Sequence, residues 1–242
     1  MKTYGLLGRN IGYSFSRNYF SKKFENEHIK AQYQNFDIPD IENAPKILSS
    51  SNVDGLNVTI PYKEVIIPYL DNLDPIAKEI GAVNVIKIRA NRETIGYNSD
   101  FYGFTESLKP LLHDEITSAL ILGTGGASKA IAYALQRLEI HYIFVSRNPG
   151  KNEVSYSAIN ENSIKNNKLI INCTPLGTHP NIHNFPDIPY QYLTDAHILY
   201  DLIYNPEVTT FMKKGLDQGA TIKNGLQMLI GQAEKSWEIW NT

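Results

Sequence analysis

The stretch that most restricts the fold is "TSALILGTGGASKAIAYALQRLEIHYIFVSRN", residues 117–148. An apolar run ends at Gly123, the glycines Gly123, Gly125 and Gly126 form a turn, an alanine-rich helical segment follows, and a second apolar run closes the unit. Strand, tight turn, helix and strand in that order predict a βαβ crossover with two parallel strands. Glycine matters in such a turn because a pyrophosphate approaches the backbone only where no Cβ intervenes, and the helix N-terminal amides then face its negative charge. Two further apolar runs, "KLIINCT" and "AHILYDLI", continue the pattern.

In a dinucleotide-binding unit, the end of the second strand reads the adenosine ribose, about 20 residues beyond the glycines. A site for NAD would place Asp or Glu there to accept from the 2′-hydroxyl. This chain instead has Ser146, Arg147 and Asn148, followed by Lys151. A carboxylate would repel a 2′-phosphate and a guanidinium binds it. Taken alone Arg147 reads as a solvated surface arginine, but behind a glycine turn it favours NADP.

The first hundred residues alternate short apolar runs ("TYGLLG", "YQNFDI", "VDGLNVTI", "AVNVIKI", "ETIGYN") with helix-like stretches ("SRNYFSKKFENEHI", "APKILSSS"), which predicts a second α/β unit. Residues 226–240 carry Leu226, Leu229, Ile230, Ala233, Trp237 and Trp240 at helical spacing, a terminal amphipathic helix. The segment "INENSIKNNK", rich in asparagine, predicts turns rather than packed structure. The 242 residues, 42% hydrophobic and 20% charged, suffice for one large or two modest domains. A formal charge of -2, with both signs mixed along the chain, speaks against a nucleic-acid or anionic-membrane partner. One cysteine excludes an internal disulfide and paired-thiolate metal sites. The N-terminus lacks the apolar run of a signal peptide, and no window approaches the roughly 20 apolar residues of a membrane span. A soluble, cytoplasmic protein is expected.

Polar residues interrupt the apolar runs in pairs. Asn57 and Thr59 share a face if their strand is extended, as do Ser14 and Ser16 in "GYSFS" and Asn98 and Asp100 in "GYNSDFYGF", while Asn84 stands alone in "GAVNVI". An unsatisfied buried polar group costs roughly 1–3 kcal/mol, so these residues need partners. Together they outline a pocket for a polyhydroxylated ligand. Pro61 is read as the start of a helix carrying Lys63. His179 and His183 stand four apart, but two prolines in "THPNIHNFP" oppose a helix, so no metal site is expected. Cys173 reads as a small core residue in a strand.

In order along the chain, "SFS", "NVTIPYKE", "GAVN", "GYNSDFYGF", "LGTGGASKA", "SRN", "INCTPLG", "DLIYNPEVTTFM" and "NGLQMLIGQAEKSWEIW" resemble the shikimate dehydrogenases, nearly end to end. The resemblance implies two α/β domains with the active site in the cleft between them: residues 1–101 plus 227–242 as substrate-binding and catalytic domain, and 102–226 as a Rossmann-type NADP-binding domain, the C-terminal helix returning to the first. It implies NADPH-dependent, reversible reduction of 3-dehydroshikimate to shikimate, an oxidoreductase step on the chorismate route to aromatic amino acids, by a monomer or homodimer. Carried over by position, Ser14 and Ser16 hold the substrate carboxylate. Asn57, Thr59, Asn84 and Gln232 hold ring hydroxyls, Tyr204 lies at the cleft, and Lys63 and Asp100 are the catalytic pair. Gly123, Gly125, Gly126 and Ala127 fall on the pyrophosphate turn, and Ser146, Arg147 and Asn148 on the 2′-phosphate clamp. Thr174, Gly225 and Met228 match the nicotinamide side.

The chain also departs from the family pattern. Tyr13 and Arg17 stand where His and Pro flank the serines, Ser99 replaces threonine, and Thr178 and His179 follow "INCTPLG" in place of methionine. The segment from Lys151 to Lys168 is short and polar for the helix and strand found there, which predicts a trimmed cofactor domain with a looser adenosine site. Two alternatives remain open at this point: a quinate/shikimate dehydrogenase using NAD, against which Arg147 argues, and a non-catalytic regulator binding shikimate and nucleotide, against which intact Lys63 and Asp100 argue.

Overall fold

The computed structural model describes residues 1–12 and 14–242, and the chain separates into two units, Met1–Ser99 with Ala233–Thr242 and Asp100–Gln232. Tyr13, one of the family departures, lies outside the described residues.

The first unit contains β1 (Lys2–Gly8), α1 (Phe15–Asn26), β2 (Ala31–Asp37), α2 (Ala44–Leu48), β3 (Gly55–Val58), β4 (Asn72–Leu73), α3 (Pro75–Ile80), β5 (Val85–Ile88) and β6 (Thr94–Tyr97). Its sheet runs β2-β1-β3-β5-β6-β4. β1 is parallel to β2 and β3, whereas β5 is antiparallel to β3 and β6. Alternation along β1 sends Tyr4 and Leu6 to one face and Leu7 to the other. The first face is aromatic: Tyr4 stacks on Trp240 at 4.7 Å and Phe20 on Tyr33 at 4.8 Å. A Cβ at Gly55 would sit 2.5 Å from the Trp240 ring, so glycine there admits the indole.

The second unit contains α4 (Asp100–Leu108), β7 (Ser118–Leu122), α5 (Gly126–Arg137), β8 (His141–Ser146), β9 (Glu153–Ser155), α6 (Glu161–Asn166), β10 (Leu169–Asn172), β11 (Ile198–Asp201), α7 (Thr210–Leu216), β12 (Thr221–Lys223) and the start of α8 (Leu226–Asn241). Its sheet runs β12-β11-β10-β7-β8-β9 with every pair parallel. This is the doubly wound order, with its topological switch point between β7 and β10. Both faces are covered. Ala119, Ile121, Leu169, Ile171, Ile198 and Tyr200 pack on one side, and Leu120, Leu122, Ile170 and Leu199 on the other, which is why these strands read as unbroken apolar runs.

Several local expectations are corrected. Ser14 and Ser16 do not share a strand face: Ser14 caps α1, its hydroxyl accepting from Arg17 N, and Ser16 lies in the first helical turn. A proline at Arg17, the family's usual residue, could not make that bond. Asp100 opens α4 rather than ending a strand with Asn98, a placement in which its charge suits the helix dipole. Pro61 starts no α-helix. Lys63 lies in a run of turns leading to a 3-10 segment at Ile67–Tyr69, where Pro68 removes a donor and Val65, Ile66 and Ile67 form a β-branched run. The asparagine-rich segment does form a helix, α6, because Asn160 and Ser163 close a capping box and Ile164 is buried, so a strand and a helix both survive between Lys151 and Lys168. In α8 the buried face is Met228, Gln232, Ala233, Ser236 and Trp240, while Leu226 and Ile230, read as part of the apolar stripe, are exposed.

Within the second unit α4 and α8 touch through glycines. A Cβ at Gly103 would overlap the Met228 carbonyl and sit 2.8 Å from Gln232 N, and one at Gly231 would sit 3.2 Å from the Gly103 Cα. Helix propensity favours alanine over glycine by about 1 kcal/mol, but overpacking against rigid backbone costs ~1–3 kcal/mol. The expected outcome for Gly103→Ala is a net loss of stability, read as a lower denaturant midpoint at unchanged slope; a higher midpoint would show that the two helices part without cost.

Candidate active site

In the first unit Asn57 and Asn84, singled out by sequence, are joined in one hydrogen-bonded network with Tyr33, Ser99 and Ser236. Asn57, on β3 and 4% exposed, accepts from Tyr33 Oη at 2.8 Å and donates through Nδ2 to Ser236 Oγ at 2.8 Å and to the Asn84 carbonyl at 3.3 Å. Asn84 Oδ1 accepts from Ser99 N at 2.6 Å, and its Nδ2 donates to Ser99 Oγ at 3.0 Å. Ser99 Oγ lies 3.2 Å from Ser236 Oγ. Ser16, buried, is hydrogen-bonded to Tyr33, whose hydroxyl burial pushes strongly toward the protonated form. Ser14 Oγ accepts from Arg17 N at 3.2 Å. A hydroxyl carries one proton and two acceptor sites, so this cap leaves the Ser14 proton for another acceptor.

Thr59 is half-buried just beyond β3, its amide donating to the Leu7 carbonyl and its carbonyl accepting from Tyr62 N, each at 2.9 Å. Lys63, half-buried, sits in a segment pinned on both sides. Tyr62 Oη donates to the Ile38 carbonyl at 2.8 Å, Ile66 is fully buried, and the Lys63 carbonyl accepts from Val83 N at 2.7 Å. Asn98 Nδ2 donates to the Ala82 carbonyl at 2.9 Å.

Sequence reading missed Tyr33 and Ser236. A signal for Ser236 was present: it falls between Ala233 and Trp240 on the buried face of an amphipathic helix, where a polar residue needs a reason. Tyr33 had no such signal, because a buried tyrosine in a strand is ordinary core.

In the second unit the glycine turn follows β7 at the switch point. Gly123 has φ +103, and a Cβ there would come within 3.1 Å of Thr174 Cγ2, so the turn after β7 abuts the one after β10. Gly125 caps α5 with φ −80 and without any side-chain hydrogen bond, and a Cβ there would meet nothing within 4 Å. Neither strain nor crowding inside the protein therefore demands glycine at 125, which opens the 12-residue α5 without a side-chain cap. Ala127 follows in the first turn of α5. At the end of β8, Ser146 is buried with Oγ accepting from Asn148 N at 3.3 Å, and Arg147 and Asn148 are exposed. The charge of Arg147 reaches Tyr156, whose hydroxyl burial pushes up to about 12 while the guanidinium pulls it back.

The turn carrying Thr174 is held by a buried network. Asn172 Oδ1 accepts from Thr174 N at 3.0 Å and Thr174 Oγ1 at 2.6 Å, and its Nδ2 donates to Asp201 Oδ1 at 3.0 Å. Asp201 also accepts from Ile203 N at 3.0 Å and Thr209 Oγ1 at 2.6 Å. Burial pushes its carboxyl up to about 6 against the pull of those bonds. Cys173 lies just past β10, partly buried against the core, and burial pushes its thiol up. Gly225 presses against Leu202, whose carbonyl a Cβ would overlap. Met228 is buried with Phe104, Ile121 and Tyr200. Gln232, 7% exposed, donates to the Leu229 carbonyl at 3.1 Å, and Tyr204 is half-buried after β11. A cavity of about 380 Å³ elsewhere in this unit, lined by Leu120, Ile143 and Val154 among others, includes none of these residues.

Comparison with known proteins identifies the family. The family model for the shikimate dehydrogenase substrate binding domain matches residues 6–86. A shikimate dehydrogenase (NADP(+)) of Caldanaerobacter subterraneus is 36% identical, covering 99% of this chain and 91% of that protein. Among solved structures, shikimate dehydrogenase from Aquifex aeolicus superposes with a TM-score of 0.90 at 33% identity, covering 100% of this chain and 92% of that one. The Thermus thermophilus enzyme, solved in complex with NADP(H) and shikimate, gives 0.88 at 27% identity, covering 99% and 93%. Similar along almost its whole length to these proteins, the chain belongs to the shikimate dehydrogenase family.

Proposed function

We propose that this chain catalyses the reversible, NADPH-dependent reduction of 3-dehydroshikimate to shikimate. The observation that carries the reading is the 36% identity over 99% of the chain to a shikimate dehydrogenase (NADP(+)), and the presence of Lys63, Asp100 and the glycine turn in the sequence supports it. The reading extends to a cytoplasmic enzyme of aromatic amino acid synthesis. Among the described residues no helix is long and apolar enough to cross a membrane.

In this reading the first unit binds the substrate. The Ser14 and Ser16 hydroxyls donate to the ring carboxylate, a neutral pair that recognises an anion by hydrogen bonds at the start of α1, where the helix dipole adds to the attraction. Asn57, Thr59 and Asn84 meet the ring hydroxyls, with Gln232 and Tyr204 completing the set. Adding a hydride to the ketone carbon leaves charge on its oxygen unless a proton arrives with it. Lys63 delivers that proton, and Asp100 is the carboxylate that acts with it. In the reverse direction the same pair removes the proton from the hydroxyl as the hydride leaves.

The second unit binds the nucleotide, which when bound supplies or accepts the hydride. Gly123, Gly125, Gly126 and Ala127 offer the pyrophosphate backbone amides and the N-terminus of α5. Ser146, Arg147 and Asn148 hold the 2′-phosphate, and Arg147 supplies the positive charge that an acidic residue in its place would invert. Thr174, Gly225 and Met228 line the nicotinamide end. Thr174 enters with its hydroxyl already bonded to Asn172, so what it presents is a fixed turn.

Two substitutions test these roles in a spectrophotometric assay of nicotinamide reduction by shikimate. Lys63→Ala is expected to lower kcat by roughly 10²–10⁴-fold, the range of general acid–base catalysis, while NADPH still binds as judged by fluorescence; unaltered kcat would turn the reading toward a non-catalytic sensor. Arg147→Ala is expected to raise KM for NADP about tenfold, equivalent to ~1.4 kcal/mol, and to leave KM for NAD nearly unchanged. Equal effects on the two cofactors would remove Arg147 from the specificity argument.

A further inference from the structure

The Asn57 carboxamide has two donors and one oxygen with two acceptor sites. Which end is nitrogen is settled by its neighbours. The Asn84 main-chain carbonyl, 3.3 Å away, can only accept, so the nitrogen faces it. The second amide proton goes to Ser236 Oγ at 2.8 Å. Both donors are thereby committed to the protein. On the other side Tyr33 Oη, 2.8 Å from Oδ1, must donate to it. One capacity of Asn57 is left, the second acceptor site on Oδ1.

Building on the reading that Asn57 holds a ring hydroxyl, we infer that Tyr33 and Ser236 are positioning residues for substrate recognition: they lock the Asn57 carboxamide so that it meets the ligand only as an acceptor. The ligand must then offer a donor, a hydroxyl, at that point. A flipped amide would face the Asn84 carbonyl with its own oxygen and Tyr33 with its nitrogen, losing the bond to Asn84 outright. Tyr33 and Ser236 come from β2 and α8, and neither contacts the reacting atoms in this scheme. Their removal therefore acts on binding, through Asn57.

The test is steady-state kinetics of wild type, Tyr33→Phe, Ser236→Ala, Asn57→Ala and the Tyr33→Phe/Asn57→Ala double variant, with thermal melts of each. Tyr33→Phe and Ser236→Ala are expected to raise KM for shikimate about tenfold, equivalent to ~1.4 kcal/mol, with kcat within about twofold and KM for NADP unchanged. In the Asn57→Ala background Tyr33→Phe should add nothing further, since the group it orders is gone. A merely structural role predicts a lower melting temperature with KM for shikimate unmoved, or effects of Tyr33→Phe and Asn57→Ala that add in full; either result overturns the inference. If wild type itself fails to oxidise shikimate with NADP, the functional reading falls and the inference with it. If wild type is active and both single variants keep wild-type KM, only the inference falls.

Discussion

A buried polar group must find its hydrogen bonds inside the protein or in a ligand, and each one left unmade costs roughly 1–3 kcal/mol. In the first unit this constraint falls on Asn57, Asn84, Ser99 and Ser236, each no more than 4% exposed. Their mutual bonds join β3, the approach to β5, the end of β6 and the last turns of α8, the longest link spanning 179 positions in sequence. The network cannot close until the chain's C-terminal segment has returned to its N-terminal sheet. Trp240 reinforces that return by stacking on Tyr4 and donating to the Ile86 carbonyl at 3.1 Å. Apolar burial supplies the larger energy here, and the amide network supplies the register, because a misplaced indole costs contact area whereas a misplaced amide leaves several bonds unmade.

The second unit meets the same constraint with a charge. Asp201 at the end of β11 is fully buried, and its three hydrogen bonds oppose but do not cancel the desolvation that raises its carboxyl. Its partners Asn172 and Thr209 tie the ends of β10 and β11 to α7. The stiffened turn after β10 is the one that meets the glycine turn after β7. A parallel doubly wound sheet places its ligand outside the carboxyl ends of the strands at the switch point, so the network fixes the floor on which a nucleotide would rest. Thr174 is held there through both its amide and its hydroxyl by Asn172.

These physical differences explain what the sequence disclosed. In β7, β10 and β11 both faces are buried, so unbroken apolar runs marked them without ambiguity. The glycine turn was equally plain, since Gly125 has no internal reason to lack a side chain. Residues two apart, by contrast, look alike whether a strand continues or a helix is about to be capped. For that reason Ser14 and Ser16 read as extended although one is a cap and the other helical, and Asp100 read as a strand end although it opens α4. The helix α3 had a full set of signals, Asp74 as cap, Pro75 in the first turn and Gly81 left-handed at the end, but its six residues drew no attention between longer apolar runs. Tyr33 was hidden for another reason: its role lies in one hydroxyl on an otherwise ordinary core ring.

In the roles proposed for them, Asn57 and Arg147 differ in how sharply they would discriminate. Asn57 is buried among neutral partners, where a wrong ligand group leaves a polar atom unpaired in a low-dielectric setting that salt does not screen. Arg147 is exposed at the end of β8. An exposed cation attracts a 2′-phosphate through water and mobile ions, over a Debye length of about 8 Å at physiological ionic strength, and its contribution shrinks as salt rises. On the proposed roles, the choice of cofactor would be the softer of the two preferences and the choice of ring hydroxyl pattern the harder. Burial, more than residue type, sets that order: an amide with every other bond committed discriminates more firmly than a full charge left in water.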